Sequence, residues 1–331
     1  MSRLLIVVIL LISVTTALAA DSERIAKAKA EGQVVFYSTM GIDTVRPVTL
    51  AFEKKFPFLK VETLRLNSER VFNRVMVEHQ TGKVHADVVN LSVMPLLKGK
   101  GVLASYRSPE AKAFPAKFRD ADDTWTGLVG NYYVIGYNTK LVPEPNAPKD
   151  WFDLTQPWWK GKMALDVADY DWFGAMLEYL GPEKGRRLMA GLAKQELNWR
   201  TGHSLLAQLV GAGEFAASLV YAHRTQLTKE KGSPIDWVKT SKPIVVSQNA
   251  VALLENAPRP NAARLFVDFL MSEAGQKLLY DGGQIPLRSR AIPASSPLAA
   301  EQLDLYPVSG QVMERFEQHQ KDFNETFGVK Q

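Results

Sequence analysis

The sequence predicts an α/β protein with a parallel sheet, its chain passing between two lobes. Three observations carry this reading. Strand-like apolar runs alternate with amphipathic helical segments over the first hundred mature residues. A long, glycine-punctuated β-prone stretch, Gly127 to Asn138, is followed by Pro143, Pro145 and Pro148 and marks a crossing into a second lobe. The alternation then repeats, and Ile244 to Leu254 reads as a strand leading back.

Residues 1–20 stand apart from the fold. Arg3 precedes an apolar run from Leu4 to Ile12, and Ala17-Leu18-Ala19 fits a small-residue cleavage pattern, so this segment reads as an export signal whose removal leaves a soluble periplasmic chain beginning at Ala20 or Asp21. The run is too short for a permanent membrane anchor. No cysteine follows it, which excludes lipid attachment there.

The remaining elements follow in order. An acidic, Ala/Lys-rich helix from Asp21 to Glu31 is broken by Gly32, and Gln33 to Ser38 reads as a buried strand. The next helix places Val48, Phe52 and Phe56 four residues apart on one face. Strand VETLRL (61–66) leads to a helix starting near Asn67, with Ser68 the expected N-cap. Strand Ala86 to Leu91 precedes a short helix stopped by Gly99 and Gly101. The second lobe reads as strand MALDV (163–167), helices over 172–180, 185–194 and 204–214, and strand ASLVYAH (217–223). A proline-started helix follows the returning strand, with Leu265, Phe266, Phe269 and Leu270 facing a core.

Composition narrows the function. The formal net charge of +5 is spread without a basic block, which speaks against a nucleic-acid partner. With no cysteine there is no disulfide framework, zinc–thiolate site or thiol catalysis. Enzyme signatures fail on inspection. Gly202-His203-Ser204-Leu205-Leu206 lacks the second glycine of a nucleophile elbow, and His79 and His85 have the wrong spacing for a helical zinc pair. Asp169 and Asp171 begin like a calcium loop, but Phe173 and Leu180 fill later ligand positions. The expectation is a non-enzyme without cofactor or resident metal.

Three segments carry a resemblance: GQVVFYST (32–39), DWFDLTQPWWKGKMALDV (150–167) and APRPNAARLFVDFLMSEAGQKLLYDGGQIPLRS (257–289). They resemble, in order, the substrate-binding proteins of bacterial ABC importers, in particular the ferric-iron-binding branch. The resemblance implies a type II periplasmic binding fold, two α/β lobes joined by crossing hinge strands with a ligand cleft between them. On that basis lobe 1 is expected over 21–128 plus 243–290, lobe 2 over 129–242, and a C-terminal helical segment over 291–331. It implies a monomer that captures a small-molecule ligand, a polar organic solute or oxyanion, and hands it to a membrane permease.

In such a fold, ligand groups come from strand C-terminal ends and helix N-termini. This nominates Ser38 and Thr39, Asn67 and Ser68, and Asn90 and Ser92 in one lobe. In the other it nominates Asp169, Trp172, Arg200, Thr201, Tyr221 and His223. Arg200 or Arg224 would face an anion, whereas Asp166, Asp169 and Asp171 with Trp172 would suit an amine; the residues leave both open. Relatives that hold ferric iron carry an adjacent Tyr-Tyr pair after the strand that here ends in Tyr221-Ala222-His223, so the pair is broken. Tyr132-Tyr133 lies within the crossing strand, where consecutive side chains face opposite sides. Ferric iron with a synergistic anion is therefore the alternative, and an exported hydrolase a more distant one.

Overall fold

The computed structural model describes residues 22–299 and 303–329; the export segment read from residues 1–20 lies outside them. In chain order the elements begin with α1 (22–31), β1 (Gln33–Ser38), α2 (Ile42–Lys55), β2 (Lys60–Arg65), α3 (Ser68–Gln80), β3 (Val88–Leu91) and α4 (Met94–Gly99). They continue with β4 (Thr126–Asn138), β5 (Met163–Asp166), α5 (Tyr170–Leu180), α6 (Pro182–Ala193), β6 (Asn198–Arg200), α7 (His203–Ala212), β7 (Ala217–Tyr221) and α8 (Ala222–Glu230). The last are β8 (Ile235–Trp237), β9 (Ile244–Leu253), α9 (Pro260–Met271), α10 (Glu273–Asp281), β10 (Leu305–Pro307), α11 (Gly310–Glu314) and α12 (Phe316–Phe327). Among the described residues, no helix is long and apolar enough to cross a membrane.

The chain divides into two compact units. Unit 1 takes the chain up to Lys112, Asp120–Thr126 and Val251–Leu278; unit 2 takes Ala113–Arg119, Gly127–Ala250 and the chain from Leu279 on. The strands β4 and β9 are divided between the units.

Unit 1 carries the parallel strands β2, β1 and β3 in that order, with Ser38 opposite both Arg65 and Asn90. The strand C-termini therefore collect at one edge, where α3 also begins. Helix α9 packs on this sheet because Pro260 starts it and its apolar residues recur at helical spacing. Fully buried Phe266 meets the Phe36 ring at 5.1 Å and the Phe52 ring at 5.0 Å, both edge-on, an arrangement worth about 0.5–1.5 kcal/mol per pair beyond area burial. Arg259 gives α9 no side-chain cap; instead Glu31 accepts the N–H groups of Asn261 and Ala262 (3.2 and 2.6 Å). Buried Asp87 accepts from Val35 N and from Arg259 N and Nε (2.7, 2.9 and 2.8 Å), so the turn into α9 is locked to the sheet.

In unit 2, β7 pairs with β5 and β5 with β6 in parallel, whereas β4 lies antiparallel to β7. This departs from the all-parallel expectation, because helix–strand alternation dictates parallel pairing only between strands joined by a helical crossover. Gly136 permits the pairing: a Cβ there would stand 2.5 Å from the Val220 side chain. The register sets Tyr133 opposite Tyr221. Helices α11 and α12, within the C-terminal helical segment expected over 291–331, pack into this unit. Buried Phe323 of α12 lies edge-on to Tyr170, Phe173 and Trp199, with centroids 5.2, 5.7 and 5.8 Å away.

Candidate functional site

The C-terminal ends of β5, β6 and β7 and the starts of α5, α7 and α8 build a polar cluster in unit 2. Asp166, ending β5, accepts the N–H groups of Ala168 and Gly202, so one carboxylate shapes the turns into both α5 and α7. Those turns bring buried Asp169 to His203, with Oδ1 3.1 Å from Nε2. Tyr133 donates its hydroxyl hydrogen to Asp171 Oδ1 (2.7 Å), which also accepts Trp172 N (2.9 Å). Tyr221 donates to the Tyr133 oxygen at 3.5 Å. Its ring lies 3.7 Å from that of His203 and stacks nearly parallel to that of His223 at 5.8 Å.

Burial governs the charges. It pushes the Asp169 carboxyl up to about 6 against the pull of His203, and the His223 imidazole down to about 3 with help from Arg224. Burial also works to lower the His203 pKa, but the charge and hydrogen bond of Asp169, with Asp166 and Asp171 behind it, raise it overall. Both tyrosines are held well above 10, first by burial and then by the Asp171 charge, so they present neutral hydroxyls. The guanidinium of Arg224, half-buried in the first turn of α8, makes no ion pair or hydrogen bond among the described residues. Its pKa is lowered by burial, yet guanidinium remains a cation. Asp169 Oδ2, His203 Nδ1 and His223 Nδ1 are buried without a hydrogen-bond partner among the described residues, an uncommon state that calls for a ligand or ordered water.

The nominated residues of unit 2 separate. Asp169, Tyr221 and His223 come together. His223 is a correction to the strand reading: β7 ends at Tyr221, and His223 sits buried in the first turn of α8. Arg200 turns away to pair with Glu214 (2.7 Å) over the Phe215 ring, and Thr201 is exposed. Trp172 is buried against Trp151, centroids 5.4 Å apart, as core. Sequence reasoning set Tyr133 aside with Tyr132 as a pair facing opposite sides of a strand and passed over His203 as a failed nucleophile motif; the antiparallel register brings Tyr133 opposite Tyr221.

In unit 1 the nominated residues form two small networks. Asn90 Oδ1 lies within 3.5 Å of the Ser38 and Thr39 hydroxyls, and Ser68 and Ser92 share a hydrogen bond of 3.0 Å. The N-cap of α3 is Asn67, not Ser68: extended Asn67 accepts Arg70 N at 2.9 Å, and Ser68 is already helical.

Residues 84–304 match the family of bacterial extracellular solute-binding proteins. The chain belongs to that family. It is therefore a solute-binding protein and not an enzyme. A relative described as a probable ABC transporter periplasmic-binding protein, from Sinorhizobium fredii, is 30% identical over 136 residues, 39% of this chain and 36% of its own. Among solved structures, iron-bound HitA from Pseudomonas aeruginosa superposes with a TM-score of 0.77 at 21% identity, covering 88% of this chain and 99% of its own. AfuA from Actinobacillus pleuropneumoniae, with fructose-6-phosphate bound, superposes at 0.74 and 22%, covering 90% and 99%. These likenesses establish the type II periplasmic binding fold.

Proposed function

We propose that this protein captures a small polar organic anion or oxyanion in the periplasm and passes it to the permease of an ABC importer. The unit 2 cluster would supply the contacts. One observation carries the choice of charge: the Arg224 guanidinium is a half-buried cation without an ion pair or hydrogen bond among the described residues, while Asp171 is engaged by Tyr133 and Asp169 by His203. The free N–H groups at the start of α8 favour the same sign. Neutral tyrosine hydroxyls and the buried histidine nitrogens add directional hydrogen bonds. A thermal-shift screen of organic acids, phosphate esters and amines tests this, because a ligand raises the melting temperature with occupancy. Stabilisation by an acid or ester supports the reading; stabilisation by amines alone contradicts it.

A second reading, ferric iron held with a synergistic anion, draws on the cross-strand meeting of Tyr133 and Tyr221, which restores two phenols where the sequence has a broken pair. Among the described residues no group of three or more His, Asp or Glu could hold a metal ion, so that reading depends on the tyrosines. A visible charge-transfer band on adding Fe(III) would support it, and a colourless protein would exclude it.

A further inference from the structure

We infer, resting on the anion reading of the unit 2 cluster, that the solute is a hydroxylated organic anion: a ligand hydroxyl donates to Asp169 while the acid group faces Arg224. The protein's own donors in the cluster are spent. His203 Nε2 serves Asp169 Oδ1 (3.1 Å), the Tyr133 hydroxyl serves Asp171 Oδ1 (2.7 Å), and Tyr221 serves the Tyr133 oxygen (3.5 Å). Asp169 Oδ2 receives no hydrogen among the described residues, although Asp169 is only 1% exposed. Burial holds this carboxyl at about 6, so it is ionised in a buffer near pH 7.5, and an ionised carboxylate only accepts.

The surplus in the cluster is therefore of acceptors. His223, kept neutral by burial, has one accepting ring nitrogen, and its Nδ1 is buried without a partner among the described residues. His203 Nδ1, likewise unpartnered there, accepts in the neutral ring and donates in the charged one. A bare ionised acid group only accepts: it satisfies the Arg224 guanidinium and leaves Asp169 Oδ2 beside a second anion. An ammonium group donates, but it meets the Arg224 charge and the His203 ring, whose proton the neighbouring aspartates stabilise. A hydroxyl both donates to Asp169 Oδ2 and accepts from a charged His203 ring. Leaving a buried charged acceptor unpaired costs a ligand about tenfold or more in affinity.

Isothermal titration calorimetry of the purified protein near pH 7.5 tests this with three matched pairs: glycerate with propionate, gluconate with hexanoate, and glycerol 3-phosphate with propyl phosphate. Within a pair the acid group and chain length are shared and the hydroxyls differ, while comparison between pairs separates a carboxylate from a phosphate ester. Saturable binding of at least one hydroxylated member is expected, about tenfold or more tighter than its partner. In Asp169→Asn the amide oxygen keeps the His203 contact and turns an N–H donor to the ligand. The bare anion then gains a partner, and the ratio should narrow to within about threefold. A distorted site would weaken both members together, so the ratio reads the contact even if the variant melts earlier. Equal affinity within every pair that binds, the result expected if ordered water satisfies Asp169, overturns the inference and leaves the anion reading standing, as does a ratio unchanged in Asp169→Asn. Binding by none of the six overturns both.

Discussion

Tyr133 and Arg224 define the candidate site at the level of single residues. Tyr133→Phe removes the hydrogen donated to Asp171 and the oxygen that Tyr221 reaches, without altering the ring stack. We expect affinity for the cognate solute to fall about tenfold, in line with about 1 kcal/mol per net hydrogen bond, read by calorimetry. Trp172→Phe should leave affinity within about twofold of wild type, because the ring packs against Trp151 as core; a large loss of binding at unchanged stability would place the indole in the site. The sequence made Arg200 and Arg224 equivalent, since both follow strands of the second lobe. What separates them is Glu214, fourteen positions beyond Arg200, and such side-chain pairing leaves no local pattern. Asn67 and Ser68 show a similar limit: either could cap α3, and the backbone angle of one residue decides.

At the level of elements, α3 is tied to β1 by a buried carboxylate. Glu78 accepts from the Tyr37 hydroxyl (2.6 Å), Arg74 Nε (2.9 Å) and His85 N (2.9 Å). Burial opposes its ionisation, but these donors outweigh it and the pKa lies below its ordinary 4.5. A depressed carboxyl pKa contributes stability that is present above 4.5 and lost as pH falls through the folded value. Glu78→Gln should therefore flatten the decline in melting temperature below pH 4.5; an unchanged acid limb would refute this role. Helix α9 was legible because its proline start and apolar spacing are local signals. Its cap was not, since Glu31 lies more than two hundred residues earlier in the chain. Phe266→Ala should cost about 3–5 kcal/mol in urea unfolding, as it empties the space between Phe36 and Phe52.

For the whole molecule, the two-lobed α/β architecture followed from repeated alternation and from two long β segments, Thr126–Asn138 and Ile244–Leu253, that the chain divides between its units. The antiparallel entry of β4 did not follow, and it is the feature that places Tyr133 against Tyr221. The attachment of α12 was equally hidden, because Phe323 finds its partners in α5 and β6 far back in the sequence. The central claim is that a solute anion is held through Arg224 in unit 2. Its most direct test is calorimetry of the strongest anionic hit from the thermal screen against wild type, Arg224→Ala and Arg200→Ala. We expect Arg224→Ala to weaken binding about a hundredfold, as befits a lost charge-assisted contact, and Arg200→Ala to bind as wild type. Equal affinity in wild type and Arg224→Ala, or a loss confined to Arg200→Ala, would contradict the account.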